Sequence, residues 1–564
     1  MDRIVRNYMD DFLKAQQVME NDICKQFELF SAYCAIAQRY DELYDLSDVM
    51  TGDGDDCGID AIAILVNGKM VNSVEEIADL LDMNKKLSDI EFIFVQAKTS
   101  AKFDYGDMGT FGAGVKDFCS EEHKMVQNDS IKGKCKLIEY LFDNATSMKD
   151  KPSCYLYYVT TGKWKGDKNC SSRIKMVEED LENLSIFNNV KYIPVDAEML
   201  QKYYRNTIDV IEMEIEFPQK ILMPDIPNVT QSYLGYIDFE QYIKLITGEN
   251  GEIKKSVFYD NVRDYQGDNS VNSEMSFTIE NEPSKFVLFN NGVTIICKNL
   301  SSFRDKVTLT GYQIVNGCQT SHVVFNNVGA LKDKNLQISV KLIETDDDET
   351  VAKIIKATNR QTAVSDDQLV ALNEFHKRLE EYYKTFNGKE KLFYERRSRQ
   401  YANICDIEKV RIVSIGMQIK TFASMFYDKP HLASRYYGRL MNAIDGIFSD
   451  THNLMPYYTS AYTMYRLEYF FRNKSIESKY RKFKYFILMA LKYDFADKEI
   501  PKLDSRKIES FCTAILNAVN DNDKFIKEIN KITKILDKYV DDIDSTESTK
   551  KASLVEKVKN AFVK

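Results

Sequence analysis

Asp60, Gln96 and Lys98 are the residues of this chain whose types and spacing could do chemistry on a phosphodiester. Asp60 opens an apolar segment, and Phe92-Ile93-Phe94-Val95-Gln96-Ala97-Lys98 is an apolar strand ending in Gln-x-Lys. Mg2+ is usually held by one or two carboxylates, with water and phosphate oxygens completing its shell, so Asp60 and the Gln96 side-chain oxygen form a minimal cation platform. Side chains alternate along a strand, which puts Gln96 and Lys98 on one face and turns Ala97 away. Lys98 could then orient the attacking water and offset charge developing at phosphorus. The acidic, glycine-rich stretch Gly52-Asp53-Gly54-Asp55-Asp56-Cys57-Gly58 reads as a turn into a strand over 59–66, so Asp56 adds a ligand or positions a water. A lone Gln-x-Lys also occurs by chance at strand ends, and its surroundings must decide.

The elements that position these residues follow from periodicity. Residues 1–50 read as two helices, followed by strands over 59–66 and 91–98. A helix over about 111–147, a strand Tyr155–Thr160, a helix over 171–184 and a strand Val190–Pro194 come next, the pattern of a mixed α/β sheet. Residues 67–90 form an insert with a short amphipathic helix around Val74–Leu81. Thr160-Thr161-Gly162 lies where a substrate loop is expected, although a turn is the simpler account. This first domain spans 1–205.

Helix, acidic glycine turn, strand, Gln-x-Lys strand and helix, in that order, resemble the PD-(D/E)xK nuclease core, and specifically its Mrr-like branch, in which Gln replaces an acidic residue. The resemblance implies a restriction-endonuclease-like mixed sheet and a Mg2+- or Mn2+-dependent endonuclease with Asp60, Gln96 and Lys98 at its centre. Family members carry an acid on the first helix, where this chain offers Glu28, a residue that a solvated helix face would also explain.

Four ordered blocks carry a second resemblance. They are Phe258-Tyr259-Asp260-Asn261-Val262-Arg263-Asp264-Tyr265, Phe289-Asn290-Asn291-Gly292-Val293-Thr294, Gly311-Tyr312-Gln313-Ile314-Val315-Asn316-Gly317-Cys318-Gln319-Thr320 and Ala357-Thr358-Asn359-Arg360-Gln361. In order and spacing they are similar to the signature blocks of AIPR proteins, the abortive-infection phage-resistance family of bacteria. This implies a defence protein with a central α/β AIPR domain, here 206–375, answering a phage-derived trigger.

Within that domain, Asn291 precedes a strand, and Asn316, Gln319 and Thr320 separate a strand from a helix beginning near His322. A strand, a polar glycine turn and a helix N-terminus can bind a phosphate or nucleotide; a hairpin or N-cap network explains the same residues. A weaker resemblance to DGQHR and ParB-like domains would add Asn359 and Arg360 to a nucleotide pocket, with Thr320 standing where that pattern has Arg.

From 376 to 564 apolar residues recur at helical spacing, with Pro430 and Pro501 as breaks. The Tyr- and Phe-rich stretch 457–471 reads as a helix–helix core rather than a base-stacking platform. An amphipathic helix over Ser553–Val563 ends the chain; it could dock on its own subunit or on a partner, so a homodimer is open.

The 564 residues are 44% hydrophobic and 12% aromatic, a globular composition with room for two to four domains. No signal-peptide core and no long apolar run suggest export or a membrane span, and we read the protein as cytoplasmic. Eleven cysteines without paired spacing and five histidines give no support to a CxxC-type zinc site. A net charge of −10 opposes unspecific nucleic-acid binding. Local basic clusters supply what the whole chain lacks: Lys98 to Lys102, Lys163 to Lys168, and Arg396, Arg397 and Arg399 between aromatic residues. Lys102 and these arginines are therefore the candidate nucleic-acid contacts, with a solvated or salt-bridged face as the alternative for the arginines. Two functions stand: a Mg2+-dependent DNA endonuclease of phage defence, with RNA open as substrate, or a binding and sensing module without catalysis.

Overall fold

The computed structural model describes the chain except residues 41, 53, 249–250, 259–269, 332–334, 359–373, 397–399, 402–403, 405–406, 445, 496–499, 541–542, 544–546 and 563–564. It divides into two compact units, one formed by Met1–Ile208 together with Glu374–Lys564, the other by Asp209–Asn373.

In the first unit, α1 (Arg3–Ala15) and α2 (Ile23–Ile36) start at the Asp2 and Asp22 N-caps, whose carboxylates accept first-turn N–H groups. Then come β1 (Ala61–Val66), β2 (Lys69–Met70), α3 (Val74–Asn84), β3 (Glu91–Lys98), α4 (Tyr105–Phe118), α5 (Asp129–Asp143), β4 (Ser153–Thr160), α6 (Lys168–Glu182), β5 (Asn189–Val195) and α7 (Ala197–Ile208). The strands form one sheet in the order β2-β1-β3-β4-β5, with β1 antiparallel to β3 and the β3, β4 and β5 neighbours parallel. Both faces are covered, as a sheet with parallel strands requires. Phe92, Phe94, Leu156 and Tyr158 pack under α4, α5 and α6; Ile93, Val95, Ala97, Tyr155 and Tyr157 pack against α1, α2 and α7.

One expected element is different. The helix read over 111–147 is two helices, because Asn128 caps α5 through Ile131 N and also donates from Nδ2 to the carbonyls of Thr51 and Gly54.

The C-terminal half of this unit is mainly helical: α13 (Glu374–Lys384), α14 (Ile415–Phe426), α15 (Tyr437–Ala443), α16 (Met455–Arg472), α17 (Lys484–Asp494), α18 (Lys507–Asn520), α19 (Asn522–Tyr539) and α20 (Ala552–Phe562), the numbering following the second unit below. α16 is buried along most of its length, and Tyr457 stacks on Phe422 and Tyr458 on Phe386, so the aromatic stretch is core. Residues 420–435 of this half dock on α3: Asp79, fully buried, pairs with Arg435 at 2.7 Å, Glu76 with Lys420 at 2.9 Å, and the Ser73 hydroxyl donates to Ser434 O.

The second unit holds β6 (Glu212–Glu216), β7 (Gln219–Leu222), β8 (Gln231–Asp238), α8 (Phe239–Ile246), α9 (Ser270–Asn281), α10 (Phe286–Phe289), β9 (Val293–Cys297), β10 (Asn299–Phe303), β11 (Lys306–Thr310), β12 (Gln313–Asn316), α11 (Cys318–Asn326), β13 (Gln337–Glu344) and α12 (Asp348–Thr358). Its main sheet has the order β12-β9-β13-β8-β7, and β10, β11 and β6 make a small antiparallel sheet.

Arg39 and Glu91 make a buried, two-pronged ion pair at the foot of β3, with both N···O distances 2.9 Å and the Arg39 guanidinium 3.8 Å over the Tyr155 ring. Glu91→Ala leaves a buried cation without its carboxylate, and we expect urea unfolding to report a loss of about 3 kcal/mol; a loss below about 1 kcal/mol, the scale of a surface pair, would show that the pair is not structural.

Candidate active site

The site forms where β1 leaves β3. Asp60 N–H still donates to Val95 O at 2.9 Å, but the next ladder donor, Ala97 N–H, is taken by the Asp60 carboxylate, Oδ2 at 2.7 Å. Backbone over 54–60 is thereby freed to bend away: Thr51 pairs with Asp60 and Ile59, and Asp55, Cys57 and Gly58 all have positive φ. The Asp56 carboxylate accepts the Gly58 N–H at 2.8 Å, closing this turn close enough to Asp60 to disfavour its charge.

Alternation puts Gln96 and Lys98 on the α4 side of the sheet, the side of Phe92 and Phe94, and the Asp60 charge acts on Lys98 and Tyr158 there. The Gln96 amide lies under Gly58, where an added Cβ would be 3.2 Å from Nε2. Gln96 is 3% exposed, and its Oε1 has no hydrogen-bond partner among the described residues. Burial pushes the Asp60 carboxyl up to about 6; the Ala97 N–H and the Lys98 ammonium pull it down without reversing that. Lys98 is half-buried at the strand end, and Lys102 is exposed in the following loop. Asp104 caps α4 through Gly106 N and Asp107 N.

Glu28 is not on this face. It is half-buried on α2, which packs against Ile93, Val95 and Ala97; the approach of α2 to the strand end is through Cys24, whose Sγ is 3.7 Å from Thr99 Oγ1. Thr160-Thr161-Gly162 is a structural turn: Thr161 Oγ1 donates to the carbonyls of Thr99 and Ser100, and a Cβ on Gly162 would lie 2.0 Å from Ala101 O. The sequence reading missed Tyr158. It is directly opposite Gln96 in the parallel β3–β4 register, fully buried, with a hydroxyl that has no partner among the described residues. Only the register could have pointed to it.

An oxygen set of one carboxylate and one orphaned amide carbonyl suits a hard divalent cation. Among the described residues no group of three or more His, Cys, Asp or Glu side chains is arranged to hold a metal, so water and substrate would have to complete any shell here.

The model of the family described as AIPR protein matches residues 258–558, more than half of the chain. The chain belongs to the AIPR family. No curated protein and no solved structure matches it. AIPR membership suggests an anti-phage, abortive-infection role; the match begins after the Asp60 site and does not bear on it.

Within the AIPR match, the polar motifs of the second unit bond to each other. Asn290 Nδ2 donates to Thr320 Oγ1 at 3.0 Å, Asn272 Nδ2 to Gln319 Oε1 at 3.0 Å, and Asn316 Nδ2 to Thr358 O at 2.7 Å, whereas Asn291 is exposed. The helix starts at Cys318, directly after Gly317 at φ 110°, and not near His322. Arg396 is a correction to the nucleic-acid surface read from sequence: it is 5% exposed and bonds to the buried Glu380 carboxylate at 3.1 Å, beside His376. Arg397, Arg399, Asn359 and Arg360, with most of the 258–265 block, lie outside the described residues.

α4 reaches the turn through Gly114, where an added Cβ would sit 1.9 Å from Cys57 O; on α5, Gly133 has open space. Gly114→Ala should destabilise the protein by about 1–3 kcal/mol by forcing the turn off the helix, while Gly133→Ala should stabilise it by up to about 1 kcal/mol. Thermal unfolding of the two variants checks both signs.

Proposed function

We propose that this AIPR-family chain is a Mg2+- or Mn2+-dependent endonuclease that hydrolyses DNA phosphodiester bonds in phage defence. The observation that carries the reading is the orphaned, buried Gln96 Oε1 next in the chain to the Ala97 N–H that the Asp60 carboxylate accepts, since a buried acceptor left unpaired costs about 1–3 kcal/mol unless something donates to it or binds it. The sheet order, with β1 antiparallel to the Gln-x-Lys strand and a helical crossover to a parallel β4, supports it further as the layout expected of a PD-(D/E)xK core.

A divalent cation, when bound, supplies Lewis-acid polarisation of the phosphate and a more acidic water. The chain supplies the rest. Asp60 and Gln96 hold the cation through oxygen, with Asp56 near enough to bind an outer water. Lys98, on the same face, orients the water and offsets the charge that grows on the phosphate oxygens. Lys102 meets the backbone from the adjoining loop, against an overall charge of −10 that discourages indiscriminate contact.

A catalytically inactive nucleic-acid- or nucleotide-binding sensor is the second reading, favoured by the lack of a three-acid group among the described residues.

Plasmid cleavage with Mg2+ or Mn2+, on unmodified and phage DNA, separates the two. Nicking or linearisation by wild type that Lys98→Ala and Asp60→Ala each reduce by on the order of a hundredfold or more supports the nuclease; no cleavage, with phage protection indifferent to both substitutions, supports the sensor.

pH gives a second expectation. Cation binding at Asp60 must displace a proton below about 6, so Mn2+ affinity should fall about tenfold per pH unit there and level off above. Cation-free stability runs with the opposite sign. The folded pKa lies above the unfolded value near 4, so the folded state holds the extra proton and stability falls as pH rises from about 4 to about 6. The difference in urea midpoint between wild type and Asp60→Asn should follow this window; a difference independent of pH would contradict the burial of Asp60.

A further inference from the structure

Tyr158 is the second orphan of the site. In the β3–β4 register it faces Gln96 and precedes, by one alternation, the pair Lys98 and Thr160, so its side chain shares their face. The ring is enclosed by Phe103 and Phe111, with centroids 6.1 and 6.4 Å away, and the residue is fully buried. The hydroxyl nevertheless reaches no partner among the described residues. A buried tyrosine normally spends its polar end on a hydrogen bond, and a donor without one is as anomalous as the Gln96 carbonyl without one.

The charges around the phenol narrow what it waits for. Burial above all, and after it the charges of Asp107, Asp104, Cys170 and Asp60, hold the phenol protonated and therefore a donor. None of the three carboxylates accepts its hydrogen bond. A bare anion would be repelled by this acidic surround, whereas an oxygen already bound to a cation is attracted to it and can accept from the phenol. Gln96 Oε1 needs a cation or a donor, and Tyr158 needs an acceptor; a cation carrying an oxygen ligand meets both needs at once.

We propose that Tyr158 is a positioning residue of the cation site, donating its hydroxyl hydrogen to an oxygen ligand of a divalent cation held by Asp60 and Gln96. The proposal rests on the cation site of the nuclease reading, but not on catalysis. No covalent step passes through the phenol, which keeps its proton throughout. The oxygen belongs to water in the cation-only protein and to water or a phosphate in the presence of DNA.

The structure provides its own probe. Trp164 is the one tryptophan of the chain, and its ring is 4.8 Å from Phe103, which touches Tyr158, so Mn2+ in the site should quench Trp164 fluorescence. Mn2+ titrations of the full chain, as wild type, Tyr158→Phe and Asp60→Asn, are to be run beside DNA cleavage and thermal unfolding. Tyr158→Phe should unfold at the same temperature as wild type or higher, because it removes only an unpaired hydroxyl. Its Mn2+ affinity should fall several-fold to about tenfold if the accepting oxygen is water. An unchanged affinity with cleavage lowered by about tenfold or more would place the accepting oxygen on the phosphate. Quenching by Mn2+ without any DNA cleavage by wild type would remove the nuclease reading and leave Tyr158 to be judged on affinity alone. Tyr158→Phe that matches wild type in both affinity and cleavage, or a wild type that binds no Mn2+, overturns the proposal.

Discussion

The Asp60 carboxylate accepting the Ala97 N–H is the contact on which the site depends. A strand pair that simply continued would satisfy that donor with backbone and leave no room at the strand end. Here a side chain completes the ladder, β1 departs, and the turn over 54–60 bends across the gap with Gly58 against Gln96. The same bond holds a charge-bearing oxygen at the end of the strand that carries Gln96 and Lys98, where burial pushes the carboxyl up to about 6 against the pull of the Ala97 N–H. Placement and perturbed acidity thus meet at one residue, the first through a hydrogen bond and the second through burial.

Around this point the first unit is braced by features distant in sequence. Asn128 ties the acidic turn to α5, and Gly114 lets α4 come to within contact of Cys57. Farther out, the insert between β1 and β3 is not a passive loop: α3 carries Ser73, Glu76 and Asp79 into contact with residues 420–435. Asp45, just before the turn, shares Arg481 with Glu468 of α16. The helical region therefore touches the segments on either side of the acidic turn, and a change in its packing has a physical route to the site.

What was legible in the sequence was what short-range pattern dictates. The apolar runs of β1, β3, β4 and β5, the capped insert helix α3 and the helical C-terminal region all emerge where periodicity and turn residues indicate. Tertiary pairing was not legible. Arg396 sits in a basic cluster that reads as surface, but Glu380, sixteen residues upstream on another element, draws it inside. Tyr158 reads as one more aromatic of a buried strand until the β3–β4 register sets it against Gln96. The polar stretch after Phe118 is compatible with a continuing helix, and only the contacts of Asn128 with the turn show why the chain breaks there. α11 begins early because Gly317 passes so near Val293 that a side chain would not fit, a constraint of close approach rather than of local propensity.

The most direct test of a cation site built on the Asp60–Ala97 contact is anomalous diffraction from crystals of the full chain soaked in Mn2+. The account predicts a peak about 2.1 Å from both an Asp60 carboxylate oxygen and Gln96 Oε1. A peak touching neither, with Gln96 Oε1 satisfied by an ordered water in a cation-free site, would contradict it.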